Sequence, residues 1–213
     1  MADRRSRPRA GLTREKILDA AIAFVGEHGL TALSTRKLGA AMGVDGMSLY
    51  HYVPSKAALL DGMVERLLER SKGELLPDED QPWPEAMTAM AHAMRATLLA
   101  HPATLGILAT RPVNSPGAYR ILESGLAVMC DQGVPLGRAM DIVNALMMFV
   151  IGHTLAEVGT TPGHEQADSA QAEADADAYP LLAESLATGA GLDFESRFTL
   201  TVDILVRGFA AAP

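Results

Sequence analysis

Apolar residues recur at helical spacing along almost the whole chain. No stretch of useful length alternates apolar and polar residues in the way that a half-buried strand does. The pattern predicts helices, in chain order, at residues 14–28, 35–42, 46–52, 56–76, 85–101, 103–109, 118–132, 136–158, 180–190 and 194–211. It therefore predicts an all-α protein.

Residue types that favour helix ends support these boundaries. Thr13, Ser34 and Asp45 each precede a predicted helix and carry a side-chain oxygen that can cap its first free amides. Gly29 follows the first helix, and Gly43 separates the second helix from the third, where a positive φ would allow a tight turn.

Three segments lack a helical pattern. Residues 1–12 form a basic tail that we expect to be flexible, and residues 77–84 (PDEDQPWP) are typical of a linker. Residues 159–178 are rich in Ala, Asp, Glu and Gln and contain almost no large apolar residue. They are predicted to form a disordered surface loop.

Charge is divided unevenly along the chain. The 213 residues are 48% hydrophobic and carry a net charge of −8, which is typical of a soluble globular protein of one or two domains. Residues 1–72, however, contain 12 Lys and Arg against 8 Asp and Glu, whereas residues 73–213 contain 6 against 18. A basic N-terminal part on an acidic body indicates that this part faces a nucleic acid.

Other functional classes find little support in the sequence. The sequence has no run of about 18 uncharged apolar residues, so it predicts no membrane span. No apolar segment follows the basic tail as it would in a secretory signal. The motifs HExxH, GxSxG and GxxxxGK[ST] are absent, and the six histidines lack metal-ligand spacing. We therefore expect no catalysis, no cofactor and no bound metal. Cys130 has no disulfide partner and is expected to be a buried, inert thiol in a cytoplasmic protein.

The most informative stretch is residues 31–56. Two short helices that meet at Gly43 and share apolar residues such as Leu38 and Leu49 are the arrangement of a helix-turn-helix, whose second helix enters a DNA major groove. The residues predicted to face base edges and nearby phosphates are Gly46, Met47, Ser48, Tyr50, His51 and Tyr52. Those predicted to contact the phosphate backbone are Thr35, Arg36, Lys37 and Lys56. A plain helical hairpin with a polar surface would give the same two-helix pattern.

Residues 13–65 resemble the N-terminal domain of the TetR family of bacterial regulators, most clearly in LSTRKLGAAMGV and SLYHYVPSKAALLDGM. Later segments resemble, in the same order, the regulatory core of the tetracycline repressors. They are ILATRP (107–112), YRILESGLAVMCDQG (119–133), GHTLAEV (152–158), PLL (180–182) and FTLTVDILVRGF (198–209). The resemblance spans most of the chain and implies a DNA-binding regulator.

The resemblance also implies a domain organisation. A three-helix, helix-turn-helix DNA-binding domain at 13–56 is joined to a larger helical ligand-binding and dimerisation domain at 57–213, of which 57–76 is a connecting helix. Family members are homodimers in which two long C-terminal helices of each subunit form a four-helix bundle. The matching segments, about 136–158 and 194–211, carry more apolar residues than one helix face requires, and we expect about half of them in the subunit's own core.

An effector site is implied as well. Thr110, Arg111 and Pro112 match a loop that moves on induction, and Glu157 matches an acidic residue that the partner subunit contributes near a magnesium ion. The family's magnesium-ligating histidine, however, falls on Ile107, and two drug-anchoring polar residues fall on Lys72 and Ala89. Magnesium-chelated tetracycline is therefore not the expected effector.

Methionines and other apolar residues stand where those polar groups would be. The residues that we assign to an apolar effector pocket, beside Lys72 and the loop, are Met90, Met94, Ile107, Met129 and Met147. Methionines at helical spacing more often belong to an ordinary hydrophobic core.

Together these patterns predict a ligand-responsive transcriptional regulator. The expected protein is a repressor that binds a palindromic operator as a homodimer and is released by a small hydrophobic effector. Two alternatives remain open: an activator of the same family, and a dimerising helical protein that does not read DNA. The predicted partners are double-stranded operator DNA, a small-molecule effector and a second copy of the chain, with no membrane.

Overall fold

A computed structural model describes residues 11–78, 80–110, 115–158, 175–191 and 193–211. Within these residues the secondary structure is helical throughout, with no strand, so the all-α prediction is confirmed. The α-helices are α1 Arg14–His28, α2 Thr35–Ala41, α3 Gly46–Leu49, α4 Lys56–Leu75, α5 Trp83–Ala100, α6 Leu105–Thr110, α7 Pro116–Asp131, α8 Leu136–Val158, α9 Pro180–Thr188 and α10 Phe194–Ala211.

The predicted caps are present. The side chains of Thr13, Ser34 and Asp45 accept hydrogen bonds from the amides of Lys16, Lys37 and Met47. Gly29 and Gly43 have φ values of 76° and 67°, so each ends its helix in a conformation that side chains disfavour. These ends depend on neighbours in the chain, and the sequence therefore predicts them well.

Helix α3 is shorter than predicted. It ends at Leu49 instead of residue 52. Beyond Leu49, amides bond to the carbonyl three residues earlier, as in a 3-10 turn: Tyr50 donates to Met47 and Tyr52 donates to Leu49. Pro54 disfavours helical geometry in the residue before it, which is consistent with this early end. Short 3-10 turns at Leu30–Ala32 and Pro102–Thr104 were not predicted as separate elements.

The chain forms two compact units. The first unit comprises the chain up to Leu76 together with Ala96–Gly125, and the second comprises Pro77–Arg95 together with Leu126 onwards. The first unit has an apolar core in which α1 packs against α4, and Ile107 of α6 belongs to this core. Helix α6 thus shares its hydrophobic cluster with the helix-turn-helix.

In the second unit α8 packs against α10. Both helices place residues in the core, namely Ile142, Leu146 and Val150 of α8 and Phe198, Val202 and Val206 of α10. Helix α8 has 23 residues and a most apolar part with a mean hydropathy of 1.5, so by length and composition alone it could cross a membrane. The core helix of a globular protein meets the same criteria, and these contacts account for its apolar character.

Three predictions about individual segments need comment. Residues 1–10 of the predicted tail and 159–174 of the predicted loop lie outside the described residues. Residues 175–178, expected in that loop, instead form a turn in which the Asp175 side chain accepts from the amides of Asp177 and Ala178. Cys130 is exposed, so its predicted burial is wrong, because it lies on the outer side of α7 near the helix end.

Candidate DNA-binding and effector sites

Two glycines allow α2 and α3 to approach each other closely. A side chain on Gly39 would lie 2.8 Å from the Cα and the amide nitrogen of Gly46, and one on Gly46 would lie 3.0 Å from the carbonyl oxygen of Thr35. Any larger residue at Gly39 would push the helices apart. Gly46 was predicted to face DNA, but the direction of its missing side chain is filled by α2, so its structural contribution is the helix crossing.

Most of the other predicted base-facing residues lie at the surface of this crossing. Met47 is 69% exposed and Tyr50 is 41% exposed, while His51 is exposed and Ser48 is half-buried. Tyr52 differs, because it packs against the core of the first unit. Tyr52 therefore contributes partly to the core. The sequence could not predict this, because so short a helix has too few positions to show which face is buried.

Two of the predicted phosphate contacts are exposed cations, and the other two make hydrogen bonds between neighbouring segments. Arg36 and Lys37 are exposed at the start of α2. The Thr35 hydroxyl lies 3.1 Å from the Tyr50 hydroxyl, so these two residues join α2 to α3 by a hydrogen bond. The Lys56 ammonium donates to the carbonyl oxygen of Leu33 over 3.0 Å, and this bond ties the start of α4 to the segment that leads into α2.

Ion pairs fix α4 against α1. Arg66 donates to both carboxylate oxygens of Asp19, over 2.7 and 3.1 Å, and Arg70 lies 2.8 Å from the same carboxylate. Hydrogen bonding from Arg66 lowers the pKa of Asp19 below its ordinary value. Arg14 pairs with Glu65 at 3.0 Å, and Gly62 lets α4 approach Leu18 of α1. A movement of α4 would therefore carry α1 with it.

The predicted effector residues fall in both units. Met90, Met94 and Met129 are buried in the second unit and Met147 is half-buried there. Ile107 is buried in the first unit, inside the cluster that contains the helix-turn-helix, so it is a core residue. The predicted effector residues in α4 and at the end of α6 with its following loop are Lys72, Thr110, Arg111 and Pro112.

Of those four, only Thr110 has a described side chain. Its hydroxyl is exposed and donates to the carbonyl oxygen of Gly106 within α6. Lys72 lies within α4, and Arg111 and Pro112 lie outside the described residues.

Glu157 takes part in an ion-pair network within its own subunit. Its carboxylate accepts bonds of 2.8 and 2.9 Å from Arg95 of α5, which also donates to Glu195 of α10. Arg95 is buried, and its guanidinium lies 4.9 Å from the centre of the Phe198 ring. Glu157 is thus occupied within its own subunit. Sequence reasoning missed Arg95, for which the only signal was a single cation among the apolar residues of α5.

Comparisons with known proteins agree with this geometry. Residues 17–63, which contain the helix-turn-helix, match the family model described as bacterial regulatory proteins, tetR family. Residues 76–212 match the model described as tetracyclin repressor-like, C-terminal domain. The chain belongs to the TetR family. TetR proteins are DNA-binding transcriptional regulators and not enzymes, so this TetR protein is a regulator.

Individual TetR relatives cover nearly the whole chain. The class D tetracycline repressor protein of Escherichia coli is 30% identical over 94% of this chain and 90% of its own length. The crystal structure of a possible TetR family regulator from Streptomyces coelicolor A3(2) has a TM-score of 0.79 at 29% identity, covering 93% of this chain and 98% of that one. ActR of Streptomyces coelicolor in complex with actinorhodin has a TM-score of 0.78 at 25% identity, covering 95% and 98%.

Proposed function

We propose that this TetR protein is a repressor that binds a palindromic operator as a homodimer and is released by a small, largely apolar effector. The observation that carries the DNA-binding part is the closely packed crossing at Gly39 and Gly46, which presents Met47 and Tyr50 outward on a rigid frame. Rigid presentation favours base reading, because side chains that are already placed lose less entropy on binding.

The reading surface that we propose contains the residues that remain exposed or half-buried around that crossing. They are Thr35, Arg36, Lys37, Met47, Ser48, Tyr50, His51 and Lys56. Arg36, Lys37 and Lys56 supply the positive charge that phosphates require, in a chain whose net charge is −8. A DNA partner also implies a cytoplasmic protein.

Exposed apolar residues support the homodimer. Met148 of α8 and Leu200 and Ile204 of α10 are 70%, 59% and 58% exposed, although their helices pack against each other through other residues. Apolar side chains on the outer faces of two long neighbouring helices are typical of a surface that is covered in an oligomer. Two subunits joined there would carry two reading helices, as a palindromic operator requires.

The effector part rests on the second unit. Met90, Met94 and Met129 are buried there, and flexible thioethers adapt to apolar ligands of different shape. Relatives are named for tetracycline, and ActR has a crystal structure in complex with actinorhodin, so a similar protein binds a small molecule. The absence of a magnesium-type histidine at Ile107 favours an effector bound without a metal.

A gel-shift assay on the DNA upstream of the protein's own coding sequence tests this function. We expect sequence-selective retardation that weakens as salt rises. Lys56→Ala should weaken binding to operator and to random DNA nearly equally and reduce the salt slope by about one unit. Lys16→Ala removes one lysine from α1, which is not part of the proposed reading surface, and is the matched control.

The same assay separates the alternatives. Retardation together with higher transcription from the bound promoter would identify an activator. If the protein is a dimer but retards no upstream DNA, it is a helical dimer that does not read DNA.

A further inference from the structure

The folded part of the DNA-binding region carries little surplus positive charge. Residues 13–72 contain 8 Lys and Arg against 7 Asp and Glu, whereas residues 1–12 contain four arginines against one aspartate. The positive charge of residues 1–72 therefore comes mainly from the first twelve. DNA binding requires cations that neutralise phosphates, and the rest of the chain is acidic.

Ion pairs within the fold reduce the charge that is available to DNA. Three arginines that join α1 and α4 are each bound by a carboxylate: Arg14 by Glu65, and Arg66 and Arg70 by Asp19. A cation that a carboxylate already neutralises contributes less to the attraction of a phosphate. Three of the eight cations in residues 13–72 are thus committed to the fold, and cations outside this region would strengthen DNA binding.

The arginine tail, residues 1–10, joins the first unit at a defined point. The tail itself lies outside the described residues, but the two residues that follow it do not. Leu12 packs against the apolar core that also contains Leu38 of α2 and Leu49 of α3. Gly11 has a φ of 117°, a conformation that side chains disfavour, so the chain turns there before α1 begins. The tail is therefore attached to the same core that supports the reading surface.

The residue types of the arginine tail suit one groove of DNA. Its four cations are all arginines, at positions 4, 5, 7 and 9, and Pro8 disfavours a helix. An extended chain fits the minor groove, which is about 6 Å wide, whereas an α-helix of about 10 Å does not. Narrow A·T-rich minor grooves have an enhanced negative potential, and a guanidinium enters them readily because it is more weakly hydrated than an ammonium.

We propose that the arginine tail of each subunit binds the minor groove of the DNA that flanks the operator half-site. The reading surface contacts the major groove, and the tail extends the contact with guanidinium groups that prefer A·T pairs. Residues 4–10 can span at most about 25 Å, or about seven base pairs, from the point where the tail joins the fold. This inference rests on the proposed function, because the helix-turn-helix must first place the tail on DNA.

Gel shifts of the full-length protein test the inference on duplexes that differ only in their flanks. Each duplex carries the site located by footprinting in the upstream DNA, flanked by A·T, G·C or inosine·C pairs. Inosine lacks the amino group that guanine places in the minor groove but keeps the acceptors of its major-groove edge. We expect the A·T and inosine·C flanks to bind about threefold more tightly than the G·C flank. Equal binding to all three duplexes would overturn the inference.

Two variants distinguish minor-groove binding from simple charge. The Gln variant combines Arg4→Gln, Arg5→Gln, Arg7→Gln and Arg9→Gln, and it should bind the site about tenfold more weakly, with a smaller salt slope and no preference among flanks. The Lys variant carries lysine at the same four positions, so it should recover the salt slope but not the flank preference. A Lys variant that recovered both would show that the tail contacts phosphates only, and would refute the minor-groove assignment.

Arg120→Gln, at an exposed arginine of α7, is the control for the loss of one positive charge and should change neither the salt slope nor the flank preference. Circular dichroism and light scattering confirm that each variant has the helix content and mass of the wild type. If the wild type retards no upstream DNA, the proposed function is wrong and this inference fails with it. If the wild type and the Gln variant retard the site equally, only the assignment of the tail is wrong.

Discussion

At the scale of single residues, Met47 gives the most direct test of base reading. Its side chain is 69% exposed, so its loss should not change the stability of the helix-turn-helix. We expect Met47→Ala to reduce the free-energy difference between operator and random DNA by about 1–3 kcal/mol, because one apolar contact to a base edge is lost. Competition gel shifts measure that difference, and Leu136→Ala, another exposed apolar truncation, is the control.

An equal weakening on operator and random DNA would contradict that prediction. It would indicate that Met47 supports backbone contacts instead of reading bases. Tyr50→Phe can be compared with Met47→Ala in the same assay. It keeps the ring and removes only the hydrogen bond to Thr35 that joins α2 to α3.

The same scale shows what a sequence can specify. Thr13, Ser34 and Asp45 were predicted as caps because a cap depends on the next three residues. The packing role of Gly46 and the Arg95–Glu157 pair depend on residues that only the tertiary fold brings together. No local pattern marks such partners, so the sequence could not predict these contacts.

At the scale of elements, the contact between α1 and α4 should be sensitive to pH. The pKa of Asp19 is lowered chiefly by its hydrogen bond from Arg66, so the folded protein holds this carboxylate ionised to lower pH than the unfolded chain does. Its stabilisation is therefore complete above about pH 4 and is lost as pH falls through the lower folded pKa. Asp19→Asn should cost about 1 kcal/mol at pH 7 and less at pH 3.

Urea unfolding at the two pH values measures this effect. Asp131→Asn removes an exposed carboxylate at the end of α7 and should show no such pH dependence. A difference between Asp19→Asn and the wild type that persisted at low pH would assign the effect to packing instead of charge.

Long helices were predicted more accurately than short ones. The predicted bounds of α1, α8 and α10 agree with the structure. An apolar face that repeats over four or more turns is long enough to define the helical period clearly. Helix α3 was predicted three residues too long, since one turn contains too few positions to fix a period. Its end is set by Pro54 and by packing against the first unit.

At the scale of the whole molecule, the proposed dimer makes a sharp distinction between neighbouring residues of α10. Leu200 and Ile204 are exposed, whereas Phe198 and Val202 are fully buried within the subunit. Leu200→Asp or Ile204→Asp should place a charge in a desolvated interface at a cost of several kcal/mol and yield folded monomers that bind DNA weakly. Phe198→Asp should unfold the second unit instead.

Light scattering gives the mass, and circular dichroism shows whether the helices persist. Tyr119→Asp, at an exposed aromatic residue of α7, is a control that should stay dimeric. Folded dimers of both Leu200→Asp and Ile204→Asp at micromolar concentration would move the interface to another surface.

The fold and the regulator class could be predicted at this scale, whereas the effector site stays a prediction. Helix pattern and helix-turn-helix residues are continuous in the chain, whereas the predicted effector residues are distributed over both units. Ile107 belongs to the core of the first unit, and Glu157 is bound by Arg95. Position in a matched segment therefore did not determine which neighbour a side chain contacts.

Induction should need no divalent cation. The resemblance to the family places its magnesium-ligating histidine at Ile107, which cannot coordinate a metal, and in the described part of the chain no three His, Cys, Asp or Glu side chains are grouped to hold one. The Arg95 guanidinium pairs with the carboxylate of Glu157, the acidic residue that the resemblance places near the magnesium ion. We therefore expect micromolar tetracycline with Mg²⁺ to leave the protein–operator complex intact. Fluorescence anisotropy of labelled operator measures this. Release of this protein by the drug, reversed by EDTA, would restore a magnesium-dependent site and refute the argument from Ile107.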